Sequence, residues 1–243
     1  MKKAIVLNNV DHKDLKVDTR PSQHYGDNVN RTVAHTPEIG ELHKEFPILF
    51  YKNPENQQLQ MHVIMGLEKD ENLFLHNNQW TSRYVPAVLA RGPFSIGYRK
   101  VDDQGEEQQE PVICIDMDDP RVNADNAESV FLQFGGESPY LTYVKKALQT
   151  IESGAQFDKT LFTLAESMDL LEPVSIQIQL SNVEQINFSD YYTINQEKLS
   201  KLDGESLAKL NQFGVLSLLH FLLSSLGNFQ RLIDLKNAKS ALL

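Results

Sequence analysis

The chain has 243 residues, 41% of them hydrophobic, enough for a substantial core in one large domain or two small ones. Its 33 acids against 23 Lys and Arg leave a net charge of −10, which argues against a general nucleic-acid binder and fits an ordinary soluble cytoplasmic protein. The single cysteine, Cys114, excludes an internal disulfide and a cysteine-rich zinc site; within the apolar run 111–117 it reads as a buried structural thiol.

Residues 4–7 predict a first strand. Met1-Lys2-Lys3 ahead of them mimics a signal-peptide opening, but the apolar run stops at Asn8, short of the roughly 7–15 residues of a secretory core. Residues 11–17 predict another short strand, and 19–31, polar with Pro21 and Gly26, a loop. Thr36-Pro37-Glu38-Ile39 predicts a helix start, with Thr36 as the cap and Pro37 in the first helical position. Ile39, Leu42, His43 and Phe46 share its face, and Pro47 ends it. Strands over 48–51 and 60–67 flank the turn Asn53-Pro54-Glu55-Asn56.

The stretch 72–98 is the densest in aromatic residues and holds the only Trp. Asn77-Asn78 is turn chemistry, because Asn tolerates the left-handed region. Pro86 and Pro93 push Val85 and Gly92 toward extended backbone, and 94–98 reads as a strand. Two readings stand for Trp80, Arg83, Tyr84, Arg91 and Phe94. Either the rings anchor a core and the arginines form structural ion pairs, or together they line a groove for a peptide or an acidic small ligand. Asp116, at the end of a buried strand, is placed to pair with Arg83 or Arg91 in such a pocket.

Residues 102–110, charged and containing Gly105, predict a surface turn that joins strands 94–100 and 111–116 as a hairpin; 118–128 reads as loop. Gly135-Gly136 closes the apolar segment 130–134. Ser138-Pro139 opens a helix through Ile151 that Gly154 ends, and 158–168 predicts a second helix. In the strand 174–180, Val174, Ile176, Ile178 and Leu180 alternate with polar residues, so one face is buried; 191–194 is expected to pair with it. Asn195 and Asp203 cap two short helices. One long helix over 214–238 is apolar nearly all round in its first half, which places it in the core or in a homo-oligomer interface. Its apolar run, 215–226, falls short of the roughly 20 residues that span a bilayer, so no membrane insertion is expected.

The reading is α+β: a mixed, mostly antiparallel sheet with a helical C-terminal part. One domain is expected over 1–243, β-rich to about 136 and helix-rich from about 137.

Several stretches, in order, resemble the SapC family, named for a protein associated with bacterial surface layers. They are Glu45-Phe46-Pro47-Ile48-Leu49-Phe50, Gly66-Leu67 with Glu71-Asn72-Leu73-Phe74, and Trp80 with Arg83-Tyr84-Val85-Pro86-Ala87. Arg91-Gly92-Pro93-Phe94 and Ile113-Cys114-Ile115-Asp116 follow, then Tyr192-Thr193-Ile194, Lys198-Leu199, Leu202 and Ser225-Leu226-Gly227-Asn228-Phe229. Gly92 departs from the family pattern, which carries an aromatic there. The resemblance implies no assigned activity; the family's association with flavin-dependent halogenases, cupin-like oxygenases and outer-membrane receptors implies a shared pathway.

Catalytic signatures are sparse. His12-Lys13-Asp14, with His62, His76 or His220 as third ligand, has the composition of a facial iron triad. Asp116, Asp118 and Asp119 suggest calcium, but Pro120 and Arg121 break the loop pattern, and a solvated turn fits better. No nucleophile elbow, phosphate loop or dinucleotide fingerprint occurs, and no cofactor is implied. The leading expectation is a non-catalytic binding or accessory protein that recognises a peptide, an acidic small ligand or a partner protein through Trp80, Arg83, Tyr84, Arg91, Phe94 and Asp116. The alternatives are an iron and 2-oxoglutarate oxygenase and a structural surface-layer component.

Overall fold

The computed structural model describes residues 4–103, 106–125, 127–180 and 185–241. Strand β1 (Ala4–Val6) forms where the apolar run predicts it, but the strand expected over 11–17 shrinks to β2 (Lys16–Val17). The Asn8 side chain accepts the Val10 and Asp11 amides at 3.0 and 2.8 Å, and this curls the intervening residues into turns. The sequence pattern does not show β3 (Arg31–Ala34), since four residues between polar flanks are too few to reveal a period. The helix start also differs from the expected one. His35, not Thr36, is the N-cap; Thr36–Glu38 is a 3-10 turn and α1 is Ile39–Leu42. Thr36 is drawn inward because its hydroxyl donates to Asp158 at 2.6 Å, while the Glu38 carboxylate accepts the His35 amide at 3.0 Å.

Strand β4 (Ile48–Lys52) lies as expected and β5 (Leu59–Ile64) ends three residues short of the expected 67; the small hairpin β6 (Leu75–His76) and β7 (Gln79–Trp80) follows. Asn77 and Asn78 turn that hairpin with φ of 50° and 58°, the left-handed pair that a two-residue loop requires. One helical turn, α2 (Ala87–Ala90), leads into β8 (Phe94–Asp103), which pairs with β9 (Glu106–Asp116). Most of the expected charged turn is therefore strand. Cross-strand charge pairs such as Arg99 to Glu110, at 2.6 Å, stabilise an exposed ladder that composition alone reads as loop. Gly105 lies outside the described residues. Cys114 is half-buried on β9 rather than deeply buried, because it packs across Gly97, where a Cβ would come within 2.7 Å of its sulfur.

After β10 (Glu128–Ser129), the two helices expected around Gly154 are one, α3 (Pro139–Ser167), 29 residues long. A mid-helix glycine costs about 1 kcal/mol relative to alanine. Here it admits His35, whose Cβ would lie 2.6 Å from any Cβ at 154. One turn on, Asp158 holds the same neighbour, accepting from His35 Nδ1 at 2.8 Å and from the Thr36 amide at 2.7 Å. β11 (Leu171–Gln179) and β12 (Gln185–Ile194) form the expected antiparallel pair, and Pro173 is tolerated because β11 is an edge strand.

Asn195 and Asp203 cap α4 (Gln196–Ser200) and α5 (Gly204–Gln212). The expected long C-terminal helix is broken into α6 (Val215–Ser225) and α7 (Phe229–Ser240). At the break the Ser225 hydroxyl donates to Leu222 O and accepts the Ile48 amide at 3.0 Å, and Asn228 donates to the His43 and Phe46 carbonyls. Among the described residues no single helix is long and apolar enough to cross a membrane.

The fold is α+β with antiparallel sheets. Five strands run in the order β11-β12-β4-β5-β3 and three in the order β1-β9-β8. Each sheet has its own core. Phe46, Phe50, Met61, Leu161, Leu164, Leu219, Leu222 and Leu232 fill the first; Leu15, Val17, Phe94, Ile115, Leu141, Val144 and Leu148 fill the second. Helix α3 serves both, its first half on one core and its second half on the other, with Gly154 between. Gly154→Ala is expected to destabilise the protein by about 1–3 kcal/mol in urea denaturation, because the added methyl collides with His35. A neutral or stabilising result, the ordinary outcome for a helix, would contradict the close approach.

Candidate functional site

The stretch from Trp80 to Phe94 passes from the first core to the second, and two recesses open beside it. Buried Glu38 anchors it: its carboxylate accepts the Ala87 amide at 2.9 Å and the Tyr84 hydroxyl at 3.1 Å. Burial pushes the Glu38 carboxyl up, and the hydrogen bonds from Ala87, His35 and Tyr84 oppose that rise. Burial and the neighbouring Glu38 push the Tyr84 hydroxyl well up, which keeps it a donor. These contacts start α2 and aim the residues after it.

The first recess, about 250 Å³, has an aromatic wall of Trp80, Tyr140 and Tyr143, with Asp18, Arg20 and Glu128 across from it. The second, about 480 Å³, is bordered by Tyr25, Arg91, Pro93, Asp116 and Asp119. Asp27, Leu89, Gly92 and Arg121 border both, so Arg121 is the post between them. Its guanidinium makes three hydrogen bonds. It donates to Asp27 and to the Tyr25 carbonyl at 2.9 Å each and to Asp119 at 3.2 Å, and it lies 5.1 Å from the Tyr25 ring centre. Asp18 is gripped as firmly, by the Arg20 guanidinium at 2.9 and 2.7 Å and by the Tyr25 hydroxyl at 2.9 Å.

Arg91 is different. It is half-buried, its guanidinium donates to the Phe94 carbonyl at 2.6 Å, and no carboxylate among the described residues forms an ion pair with it. Burial, and then the positive charge of Arg121, lower its pKa, with only Asp119 pulling the other way. Gly92 makes this orientation possible. Its φ of +53° contradicts the extended backbone expected before Pro93, because glycine has no Cβ to clash there. The reversal lets the Phe94 amide reach the Arg91 carbonyl at 3.1 Å.

A SapC family model matches residues 7–232, nearly the whole chain and almost all of the lining of both recesses. The chain belongs to the SapC family. No curated protein and no solved structure matches it.

This SapC chain separates the six residues that the sequence groups together. Trp80 borders the first recess, and Arg91 and Asp116 the second. Phe94 is fully buried in the second core, edge-on to Tyr140. Tyr84 turns to Glu38 and lines neither recess. Arg83 is exposed, and its amide donates to Glu45 at 2.8 Å. Of the residues that sequence reasoning missed, Arg20, Tyr25, Asp27 and Arg121 come from two segments read as polar loop, and Asp18 from the junction just before the first. They meet through the Val17–Val122 bridge and the Asp18 amide to Arg121 carbonyl bond, at 2.9 Å, contacts about a hundred residues apart in sequence that no local pattern announces.

The metal readings find no geometry here. His12 Nδ1 meets the Asn8 amide at 3.1 Å, and no three His, Cys, Asp or Glu side chains among the described residues could hold an ion together. Asp116 and Asp119 instead accept the amides two residues ahead, at 3.1 and 2.9 Å, as turn caps. The two recesses thus present a hydrogen-bonding cation in one and an aromatic wall in the next.

The Arg20 guanidinium, above all, holds the Asp18 carboxyl down at about 2. A folded-state pKa below the unfolded one stabilises above the unfolded value, and that stability is lost as pH falls through the folded one. Asp18→Asn should therefore lower Tm at neutral pH, with the gap to the native protein closing between about pH 4 and pH 2. A constant gap across that range would show that the charge of Asp18 contributes nothing.

Proposed function

We propose that this SapC family member is a non-catalytic binding or accessory protein that holds a small acidic ligand in the paired recesses. The ligand's carboxylate sits on Arg91 and its apolar part crosses the rim at Leu89 and Gly92, which border both recesses, toward Trp80. The observation that carries this reading is the Arg91 guanidinium, held half-buried beside a second cation, with no ion pair to a carboxylate of the described residues and only the more distant charge of Asp119 to offset it. Removing a cation from water without a counter-charge costs several kcal/mol. A planar fork with free donors accepts a carboxylate with matching geometry. The aromatic wall of Trp80 and Tyr143 suits the rest of such a ligand, since these side chains give large contact area and retain a polar tip.

N-acetylphenylalanine, succinate and N-acetylglutamate serve as probes, with Trp80, the lone indole, as a fluorescence reporter at the recess. At least one probe should change its emission saturably, and Arg91→Gln should weaken that binding about tenfold or more. Arg91→Met should leave folding stability within about 1 kcal/mol, because it exchanges an unpaired charge for a well-fitting apolar chain. Undiminished binding in Arg91→Gln, or collapse of the fold in Arg91→Met, would make Arg91 a structural residue and end the proposal.

A further inference from the structure

A third recess, unconnected to the central stretch, lies on the five-stranded sheet and has a volume of about 560 Å³. Its floor is aromatic. Tyr51 on β4 and Tyr191 on β12 are direct cross-strand partners with ring centres 5.7 Å apart. His62 on β5 stacks against Tyr51 at 4.8 Å. Arg31, the first residue of β3, extends across these rings: its guanidinium carbon lies 5.2 Å from the Tyr51 centre and 5.9 Å from that of Tyr191, and it donates to the Tyr191 hydroxyl.

The polar groups facing this recess are mostly donors. Neither Arg31 nor Lys52 forms an ion pair with a carboxylate of the described residues. Gln57 adds an amide, and the Tyr51 and Tyr192 hydroxyls make no hydrogen bond within the described chain. Asp190 is the one acid among the lining residues, and it already has a partner. Arg31 is exposed, but cation–π contact with both rings and its hydrogen bond to Tyr191 restrict the fork before any ligand arrives, so less side-chain entropy is lost on binding. His62 is buried, and burial together with the Arg31 charge lowers it to about 4, so the floor stays neutral at physiological pH.

We propose that the recess lined by Arg31, Tyr51, Lys52 and Tyr191 is a second ligand site that takes a small phosphate-bearing molecule. Two cations and several hydroxyl and amide donors around one opening match a dianionic group with three acceptor oxygens better than a single carboxylate. The volume leaves room for an organic group as well as the phosphate. The site is independent of Arg91 and does not rest on the reading of the central recesses.

The test is calorimetric titration of the full chain with inorganic phosphate, ribose 5-phosphate and AMP at constant ionic strength, with the His62 ring followed by NMR. At least one of the three should saturate and raise the His62 pKa, because the bound negative charge offsets that of Arg31. Arg31→Gln should weaken this binding about tenfold or more and Lys52→Gln about threefold, whereas Arg91→Gln should leave it unchanged. Lys52 is exposed, so its substitution reports on binding even if Arg31→Gln perturbs the sheet. Equal affinity for the free ion and the esters would assign the site to phosphate itself, and tighter ester binding to a phosphorylated metabolite. No saturation with any of the three, or binding unmoved by both Arg31→Gln and Lys52→Gln, would overturn the assignment.

Discussion

The Asp158 carboxylate is the contact on which the arrangement turns. It projects from the middle of α3, the helix shared by both cores, and receives the His35 ring, the Thr36 amide and the Thr36 hydroxyl between 2.6 and 2.8 Å. These groups sit between β3 and α1, so one buried side chain joins the helix to the five-stranded sheet. From there the order continues by direct bonds. The His35 amide orients Glu38, and Glu38 takes the Ala87 amide and the Tyr84 hydroxyl. Seven residues after Ala87 the chain reaches Phe94, sealed in the second core. Arg91 thus owes its position to a polar relay through the seam, in which satisfied buried polar groups specify how the two cores are aligned.

That relay explains which parts of the fold were legible from the sequence. Features set within a few residues were readable: the Asn77-Asn78 turn, the Asn195 and Asp203 caps, and the alternating strand from Val174 to Leu180. Each is a local preference that the surroundings leave intact. Gly154 misled for a reason that lies more than a hundred residues away in sequence. As an isolated signal it ends a helix, but against His35 it is the residue that lets the helix pass. Thr36 misled in the same way, its hydroxyl being drawn from the cap toward Asp158. The helix break at Leu226 to Asn228 was hidden because the Ser225 hydroxyl accepts the Ile48 amide and Asn228 donates to the His43 and Phe46 carbonyls, partners that only the assembled fold supplies.

The site was legible as composition and illegible as arrangement. Trp80 and Arg91 border recesses, as a groove would require, yet the groove is completed by side chains from the first thirty residues and from the turn after β9. A dense aromatic stretch must also fill cores, and here it does both: Phe94 and Tyr84 face inward so that Trp80 and Arg91 can be held at the rim. The pair Asp119-Arg121, unremarkable as a charged turn, becomes the wall between two recesses once Asp27 and Tyr25 arrive from the other side.

The charge balance shapes what such recesses can recognise. The chain carries ten more acids than basic residues, and Arg20, Arg99, Arg121 and Arg231 each sit on a carboxylate. Among the described residues Arg31 and Arg91 form no such pair, although acids are plentiful. An anion approaching such a surface meets net repulsion at long range, which salt screens over about 8–10 Å. It cannot be steered inward as it would be by a basic protein, so attraction begins only where it touches the guanidinium donors directly. Recognition of this kind depends on the fit of oxygens to fixed donors rather than on total charge. The two arginines meet that requirement differently: Arg31 lies over two tyrosine rings and bonds one hydroxyl, and Arg91 is aimed by a backbone reversal at a glycine.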